Sequence, residues 1–280
     1  MQSYIFSHIN TLPDADYSRF FCKIVSRNST FIYVMQDKID TYTHVVGPFD
    51  TDCSHRLSWN VLGTRILSAA TSHARRRGFD TFEKDGVPYL WVLSRMVIEI
   101  DRWPMVNETY QLTTWIKNYY RYFTDRYFYL HDGEGNIIGR MLTIWAMIDS
   151  ETRMPAELRE LFGDGLDRYV CPDDTELKRS RIRVNRPDIQ TTRHTFYSDL
   201  DTNNHVNSIK YIEFLLDALP PTLPISKAVR RIEMEYCAES YVDDTLSINI
   251  EETNPLHYNA EITKLLNGKT VTVCRSSFMF

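Results

Sequence analysis

Three polar side chains in the second half of the chain, Asp201, Asn203 and His205, alternate along a short segment before a predicted helix. Alternate residues of an extended backbone point to the same side, so a carboxylate, an amide and an imidazole can share one site. A helix that begins near Asn207 adds backbone N–H groups and the positive end of its dipole. Such a set can move protons and hold a carbonyl oxygen. The alternative is structural: Asp201 and Asn203 cap the helix, and His205 is a hydrogen-bonded polar residue.

The first half of the chain carries a second copy of this segment with different chemical groups. Residues 50–57 align with residues 199–206, and each copy runs into an amphipathic helix. In the first copy, the three polar positions are occupied by Asp52, Ser54 and Arg56. Two further alignments follow in the same chain order, residues 92–100 with 228–236 and residues 135–147 with 268–280. Matches that keep their order and element type predict a duplicated unit.

Each unit is predicted to contain one long helix followed by a run of strands. Apolar residues at helical spacing begin at Leu57 in the first unit and at Ile209 in the second. Gly78 and Pro220 are expected to end these helices. The segments that follow are rich in β-branched and aromatic residues, with hairpin turns predicted at Asp132-Gly133 and Asn267-Gly268. The prediction is an α+β fold in which a helix packs on an antiparallel sheet, twice.

Composition narrows the class of protein. Of the 280 residues, 43% are hydrophobic and 25% are charged, as in ordinary globular proteins. The longest nearly apolar stretch, residues 142–148, is far shorter than the roughly 20 residues that span a bilayer, so we expect no membrane insertion. Five cysteines without framework spacing favour reduced thiols, a cytoplasmic location and no metal site. A net charge of -5 argues against nucleic acid as a partner.

Four segments are predicted along the chain. Residues 1–34 show no helical or strand period and no signal-peptide core, so we expect an extension outside the main fold, with Met35 as the functional start. Residues 35–160 are predicted to form the first unit and residues 189–280 the second. Residues 161–188 contain several prolines and glycines and are expected to connect the two units.

Residues 198–213 resemble the D-x-N-x-H-V-N-x-x-K-Y-I signature of the acyl-acyl carrier protein (ACP) thioesterases, plant and bacterial enzymes that release fatty acids. The resemblance extends from about Met35 to Phe280 and includes residues 91–95 and 145–149. It implies a double hotdog fold, in which a sheet wraps each long helix. It also implies hydrolysis, without a cofactor, of the thioester between a fatty acyl chain and the phosphopantetheine arm of ACP in fatty acid biosynthesis. We expect a monomer of two internal units or a homodimer.

The resemblance places Asp201, Asn203 and His205 at catalytic positions and adds Glu239 as the matching glutamate. A water molecule activated by Glu239 fits these residue types, because a carboxylate can take the proton that water loses. In this interpretation Asp201 and His205 orient groups around the water, and Asn203 holds water or the thioester. The four residues would then form one acid and base site in the second unit.

A cysteine nucleophile is the alternative mechanism. Some accounts of the family use a cysteine next to the glutamate, but Ser240 stands there in this chain. Cys237 lies three residues earlier, on the opposite face of a regular strand, and is more simply explained as a small buried hydrophobe. The sequence therefore favours activated water.

The first unit has Trp103 at the position of Glu239, so its acid and base groups are missing. An acyl chain needs apolar walls, and the resemblance gives this unit the chain-binding role. We therefore expect Trp91 and Trp103 to contribute to binding of the acyl chain. The alternative is that these aromatic residues are ordinary sheet core.

Docking of ACP, which is strongly acidic, requires lysine and arginine side chains. Arg230 and Arg231, with Lys227, are the expected cations near the site strand, and the basic runs at residues 75–77 and 178–183 are further candidates. Two other functions stay open. One is a thioesterase that acts on acyl-coenzyme A, and the other is an acyl-binding module without catalysis.

Overall fold

The computed structural model of the protein describes residues 38–280, so the predicted extension at residues 1–34 lies outside the described residues. The strands are β1 (Ile39–Val45), β2 (Phe82–Lys84), β3 (Val87–Ile100), β4 (Thr109–Tyr119), β5 (Phe123–Asp132), β6 (Ile137–Asp149), β7 (Ile189–His194), β8 (Arg231–Tyr236), β9 (Thr245–Asn254), β10 (His257–Leu266) and β11 (Lys269–Met279). The α-helices are α1 (Trp59–Arg76), α2 (Leu158–Phe162), α3 (Lys210–Ala218) and α4 (Thr222–Ser226). None of these helices has the length and apolar character that crossing a bilayer requires.

All eleven strands belong to one antiparallel sheet. Its order is β1-β4-β5-β6-β3-β8-β11-β10-β9-β7, with β2 paired to β3. Reading inward from each edge gives β1-β4-β5-β6-β3 and β7-β9-β10-β11-β8, which have the same connectivity. The duplication and the α+β double hotdog fold predicted from the sequence are therefore confirmed.

The two units join where β3 pairs with β8. Along this seam, the Cα partners are Arg95 with Glu235, Met96 with Met234, Val97 with Glu233, Ile98 with Ile232 and Glu99 with Arg231. The aligned segments 92–100 and 228–236 thus lie side by side in the sheet, so each strand pairs across the seam with its own repeat. Backbone hydrogen bonds of the sheet continue from one unit into the next, so the units are not separate bodies on a tether.

Ion pairs on the outer side of the seam centre on Glu233, whose side chain is fully buried. Its carboxylate pairs with Arg95 at 2.9 Å and with Arg231 at 3.1 Å, and it accepts a hydrogen bond of 3.0 Å from the backbone N–H of Ser180. A buried carboxylate is costly to desolvate unless it is paired in this way. Glu233 thereby ties β3, β8 and the connecting segment together.

Helices α1 and α3 lie on the inner face of the sheet. Ile66 of α1 and Ile212 of α3 are buried in one apolar core that runs through both units. Gly63 of α1 packs closely on Ile209, which precedes α3: a Cβ atom at Gly63 would lie 2.5 Å from Cδ1 of Ile209. A larger residue at this glycine would push the two elements apart.

From Cys171 onward, the predicted connector packs on the opposite, outer face of the sheet, whereas its earlier part, with Phe162 and Leu166, packs near Ala74 of α1. Cys171 and Leu177 from this segment share an apolar cluster with Trp115, Tyr127 and Leu142 of the first unit. The connector begins with the end of α2 and a short 3-10 helix at Gly163–Tyr169, and no helix or strand is found between that 3-10 helix and β7. The segment therefore covers the sheet as well as linking the units.

Candidate active site

The loop before α3 is closed by Asp201. Its Oδ1 atom accepts hydrogen bonds from the backbone N–H groups of Asn203 at 2.8 Å and His205 at 3.2 Å. The backbone N–H of Asp201 donates to the carbonyl of His205 at 2.8 Å. Asn204 at the tip has a φ of 60°, a left-handed conformation that asparagine tolerates better than most residues. This loop fixes the backbone from which the imidazole projects.

The equivalent loop of the first unit has the same hydrogen bonds. Oδ1 of Asp52 accepts from the N–H groups of Ser54 at 2.7 Å and Arg56 at 3.2 Å, and His55 at its tip has a φ of 61°. The aspartate therefore shapes the loop in both units, whatever chemistry follows. The difference between the two loops lies in the side chains that they present.

Helix α3 begins at Lys210, three residues after the predicted start. Asn207 forms a turn before it, because its Oδ1 atom accepts from the N–H of Ile209 at 2.9 Å and its carbonyl accepts from the N–H of Lys210 at 2.9 Å. The structural alternative, in which Asp201 and Asn203 cap the helix, is not observed: the carboxylate of Asp201 bonds within its own loop, and no side chain in the described part of the chain caps α3.

Glu239 lies beside His205. Its Oε2 atom is 3.5 Å from Nε2 of His205 and accepts a hydrogen bond of 3.1 Å from the hydroxyl of Tyr241. Burial and the hydrogen bond to Glu239 raise the pKa of Tyr241, so this hydroxyl remains a donor. The Glu239 side chain is 34% exposed, which leaves the carboxylate accessible to water. The pair has the composition and access that general base chemistry requires.

The first unit also contributes to this site, which the sequence did not predict. Arg153, in the turn that follows β6, contacts the Oε1 atom of Glu239 with its guanidinium group. The two residues are 86 positions apart in the chain. Sequence spacing carries no signal for such a contact, because it depends on how the two units pack.

Cys237 lies on the outer face of the sheet with Glu235, whereas Tyr236 between them packs into the inner core. Although the residue has an exposed surface, partial burial of its thiol and the Glu235 carboxylate raise the pKa of Cys237. A thiolate nucleophile needs the opposite shift. Ser240 is fully buried, and its carbonyl accepts from the backbone N–H of Val206 at 2.8 Å.

The equivalent position in the first unit is closed by the second unit. Arg56 pairs with Asp52 at 3.0 Å and donates to the carbonyl of Pro224 at 2.8 Å, while the Ser54 hydroxyl donates to the carbonyl of Ile225 at 3.0 Å. Both carbonyls belong to α4 of the second unit. Trp103, which replaces Glu239, is buried. This loop is therefore used for packing between the units.

The other predicted site residues are dispersed. Asn203 is exposed and, within residues 38–280, its side chain forms no hydrogen bond with His205 or Glu239. Trp91 donates to the carbonyl of Phe79 in an apolar cluster of the first unit. Arg230 is exposed, whereas Arg231 is engaged by Glu99 and Glu233 at the seam. In the same range, no group of three or more His, Cys, Asp or Glu residues is arranged to hold a metal ion.

Two family models match the chain in succession. Residues 41–165 match the acyl-ACP thioesterase N-terminal domain, and residues 173–278 match the acyl-ACP thioesterase C-terminal domain. The boundary between them, at residues 166–172, falls within the predicted connector.

Curated relatives include two chloroplast proteins. The chain is 27% identical over 211 residues to a palmitoyl-acyl carrier protein thioesterase of Gossypium hirsutum, covering 71% of this chain and 51% of the relative. It is 26% identical over 227 residues to oleoyl-acyl carrier protein thioesterase 1 of Arabidopsis thaliana, covering 72% and 60%. The chain thus spans about half the length of the cotton relative and somewhat more of the other.

Solved structures include an acyl-ACP thioesterase from Bacteroides thetaiotaomicron, with 41% identity and a TM-score of 0.76 over 88% of this chain and 98% of that chain. A 12:0-ACP thioesterase from Umbellularia californica has 18% identity and a TM-score of 0.75, over 86% and 96%. The second likeness concerns the fold alone.

Proposed function

Because this chain belongs to the acyl-ACP thioesterase family, we propose that it hydrolyses the thioester of fatty acyl-ACP and releases a free fatty acid and ACP in fatty acid biosynthesis. The contact between His205 and the water-accessible carboxylate of Glu239 is the observation that carries this proposal. At this exposure the pair can exchange protons with a bound substrate or with water.

The proposed reaction uses water as the nucleophile. Glu239 takes a proton from water as the water oxygen forms a bond to the thioester carbonyl carbon, and the carbonyl oxygen becomes negative. Collapse of this intermediate breaks the carbon–sulfur bond, and the sulfur receives the proton from Glu239 through His205. Asp201 supports the chemistry by fixing the loop that presents His205, and Asn203 holds the thioester or the attacking water.

We assign the acyl chain to the apolar interior of the first unit. Trp103 packs on Trp59 with ring centroids 4.9 Å apart, and its indole N–H donates to the carbonyl of Val229 at 3.0 Å. The tryptophan therefore joins the first unit's helix to the second unit near the catalytic strand. Trp91, farther away in the same unit, is proposed to line the outer part of the apolar region.

We assign the acidic carrier to a basic cleft on the outer face. Its volume is about 640 Å³, and its lining includes Arg95, Arg179, Arg181, Arg183 and Arg275, with two glutamates, Glu235 and Glu261. Arg95 and Arg275 lie near enough to Cys237 for their charges to act on the pKa of its thiol. The cleft is therefore close to the strand that leads to Glu239. Arg95 and Arg275 are paired with glutamates, as Arg231 is at the seam. The docking role expected for Arg231 therefore passes to the exposed Arg179, Arg181 and Arg183 of the cleft, while Arg230 remains an exposed candidate.

A thiol-release assay tests the function. Acyl-ACP and acyl-coenzyme A of matched chain lengths are supplied to the wild type and to Glu239→Gln, and free thiol is measured. We expect acyl-ACP to be the better substrate and Glu239→Gln to release little thiol. Preference for acyl-coenzyme A would identify the alternative substrate, and binding of acyl-ACP without thiol release would identify a binding module.

A further inference from the structure

We propose that Arg153 of the first unit is a positioning residue for the Glu239 carboxylate of the second unit, so that the site is complete only when both units are assembled. This inference rests on the proposed function and adds a residue to it. Arg153 contacts the Oε1 atom of Glu239, while His205 and Tyr241 contact its Oε2 atom. The carboxylate is therefore held from both sides.

The turn that carries Arg153 is closed by hydrogen bonds. Oδ1 of Asp149, the last residue of β6, accepts hydrogen bonds from the backbone N–H groups of Glu151 at 2.9 Å and Thr152 at 2.8 Å. The N–H of Arg153 donates to the carbonyl of Asp149 at 3.0 Å, and the N–H of Asp149 donates to the carbonyl of Met154 at 3.0 Å. Asp149 belongs to the segment 145–149 that is part of the family resemblance, and its side chain organises this turn.

Arg153 also has an unfavourable backbone conformation. Its φ is 60°, in the left-handed region that favours glycine and, among other residues, asparagine and aspartate. Most of the other non-glycine residues in this region are Asn or Asp: Asp85, Asn107, Asn204, Asp243 and Asn267. Residues in such conformations persist only where the surrounding structure fixes them, and they cluster at functional sites. The strain and the contact with Glu239 are separate observations that agree.

The consequence for catalysis is orientation. A base must keep the accepting oxygen within reach of its proton donor, and small displacements of reacting groups lower rates strongly. With Arg153 on Oε1, rotation of the Glu239 carboxylate that would move Oε2 away from His205 breaks the contact with Arg153. A guanidinium group can bind a carboxylate with fixed geometry, which the single ammonium of lysine does less well.

The test compares Arg153→Ala, Arg153→Lys and the matched control Arg121→Ala, which removes another arginine paired with an exposed glutamate, Glu157. For Arg153→Ala we expect kcat to fall roughly 10- to 100-fold with KM little changed. Arg153→Lys should recover part of this loss. Guanidinium chloride at low, non-denaturing concentration should raise kcat of Arg153→Ala but not that of Arg121→Ala, because added guanidinium can occupy the vacated position.

A second readout does not depend on turnover. The side-chain NMR resonances of His205 should move in Arg153→Ala and stay in place in Arg121→Ala, since only the first change releases Glu239. Unchanged resonances, a normal kcat, or a loss confined to KM in Arg153→Ala would overturn the inference. Absence of turnover in the wild type would overturn the proposed function instead, and the NMR comparison would still decide the role of Arg153.

Discussion

His205 and Glu239 are neighbours, with Nε2 and Oε2 3.5 Å apart, and both side chains have access to solvent. Removal of a general acid or base typically costs about 10² to 10⁴ in rate. We expect Glu239→Gln and His205→Ala to lower kcat by that order while acyl-ACP binding changes little. Steady-state thiol release and a binding measurement on each variant separate the two effects.

Arg56→Ala is the matched control for these variants, because Arg56 occupies the position of His205 in the first unit and is hydrogen bonded to α4. It should reduce stability slightly and leave the chemical step much less affected. Normal turnover in the His205 and Glu239 variants, with loss in Arg56→Ala, would show that the active unit is assigned to the wrong half.

Cys237 gives a prediction of the opposite kind. Its thiol has a raised pKa and lies on the outer face of the sheet, so no thiolate is available at the proposed site. Cys237→Ala should retain most of the wild-type kcat, and thiol-blocking reagents should have no larger effect on the wild type than on this variant. A loss of about a hundredfold, with the fold intact, would favour cysteine as the nucleophile.

The sequence could predict site residues that lie close together in the chain, but not contacts between residues that are far apart in it. The alternation of Asp201, Asn203 and His205 predicted an extended segment, whereas these residues form a tight loop closed by Asp201. The repeat correctly identified Asp52 and Arg56 as the counterparts in the first unit. The contact of Arg153 with Glu239 escaped prediction because the packing of two units creates it. Spacing also suggested a shared direction for Asn203, whose side chain is exposed because the loop turns at Asn204.

At the scale of elements, helix α1 carries a pH-sensitive residue. Burial, reinforced by the charge of Arg126, lowers the pKa of His73 to about 3. In the unfolded chain a histidine has a pKa of about 6.5, so the unfolded state binds the extra proton. His73 therefore favours folding above about pH 6.5, and this contribution is lost progressively as the pH falls toward 3.

We expect the free energy of unfolding to fall less steeply with acidification in His73→Gln than in the wild type. Glutamine retains a donor for the carbonyl of Lys38, which Nε2 of His73 meets at 3.0 Å. Urea unfolding between pH 7 and pH 4 measures both slopes. Other titrating groups contribute to both slopes, so the difference between the slopes measures the effect of His73. Equal slopes would contradict the lowered pKa of His73.

Helix and turn positions were predictable because their signals are local. Gly78 follows α1 with a φ of 72°, and Asn267 and Gly268 form the left-handed turn between β10 and β11. The start of α3 was predicted too early, because Asn207 uses its side chain to form a turn instead of a helical cap. Polar residues near helix ends have both options, and only tertiary structure selects between them.

For the whole molecule, the internal repeat predicted two similar units but not how they join. The pairing of β3 with β8 and the packing of Leu177 over the outer face depend on contacts between distant segments. The basic run at residues 178–183 gave no indication that the backbone of Ser180 would bind the carboxylate of Glu233. Local composition described this segment as a linker, whereas its position makes it part of the fold.

The seam predicts a large stability effect at Glu233. Removing one member of a buried ion pair typically costs about 3 to 5 kcal/mol, and we expect the lower end for Glu233→Ala because Arg95 and Arg231 keep other acidic partners. Glu261→Ala, which breaks a more exposed pair with Arg275, should cost about 1 kcal/mol or less. Urea unfolding of both variants measures the difference, and equal costs would contradict a central role for Glu233.

Val97 and Glu233 occupy the same position in the two repeats and face each other across β3 and β8. In a pair of identical chains, a residue on the twofold axis must meet its own copy. Two glutamates there would bring two buried carboxylates together, and two valines would leave both arginines without their shared partner. A single negative charge on this axis requires that the two units differ in sequence, which their fusion in one chain permits and a pair of identical subunits does not.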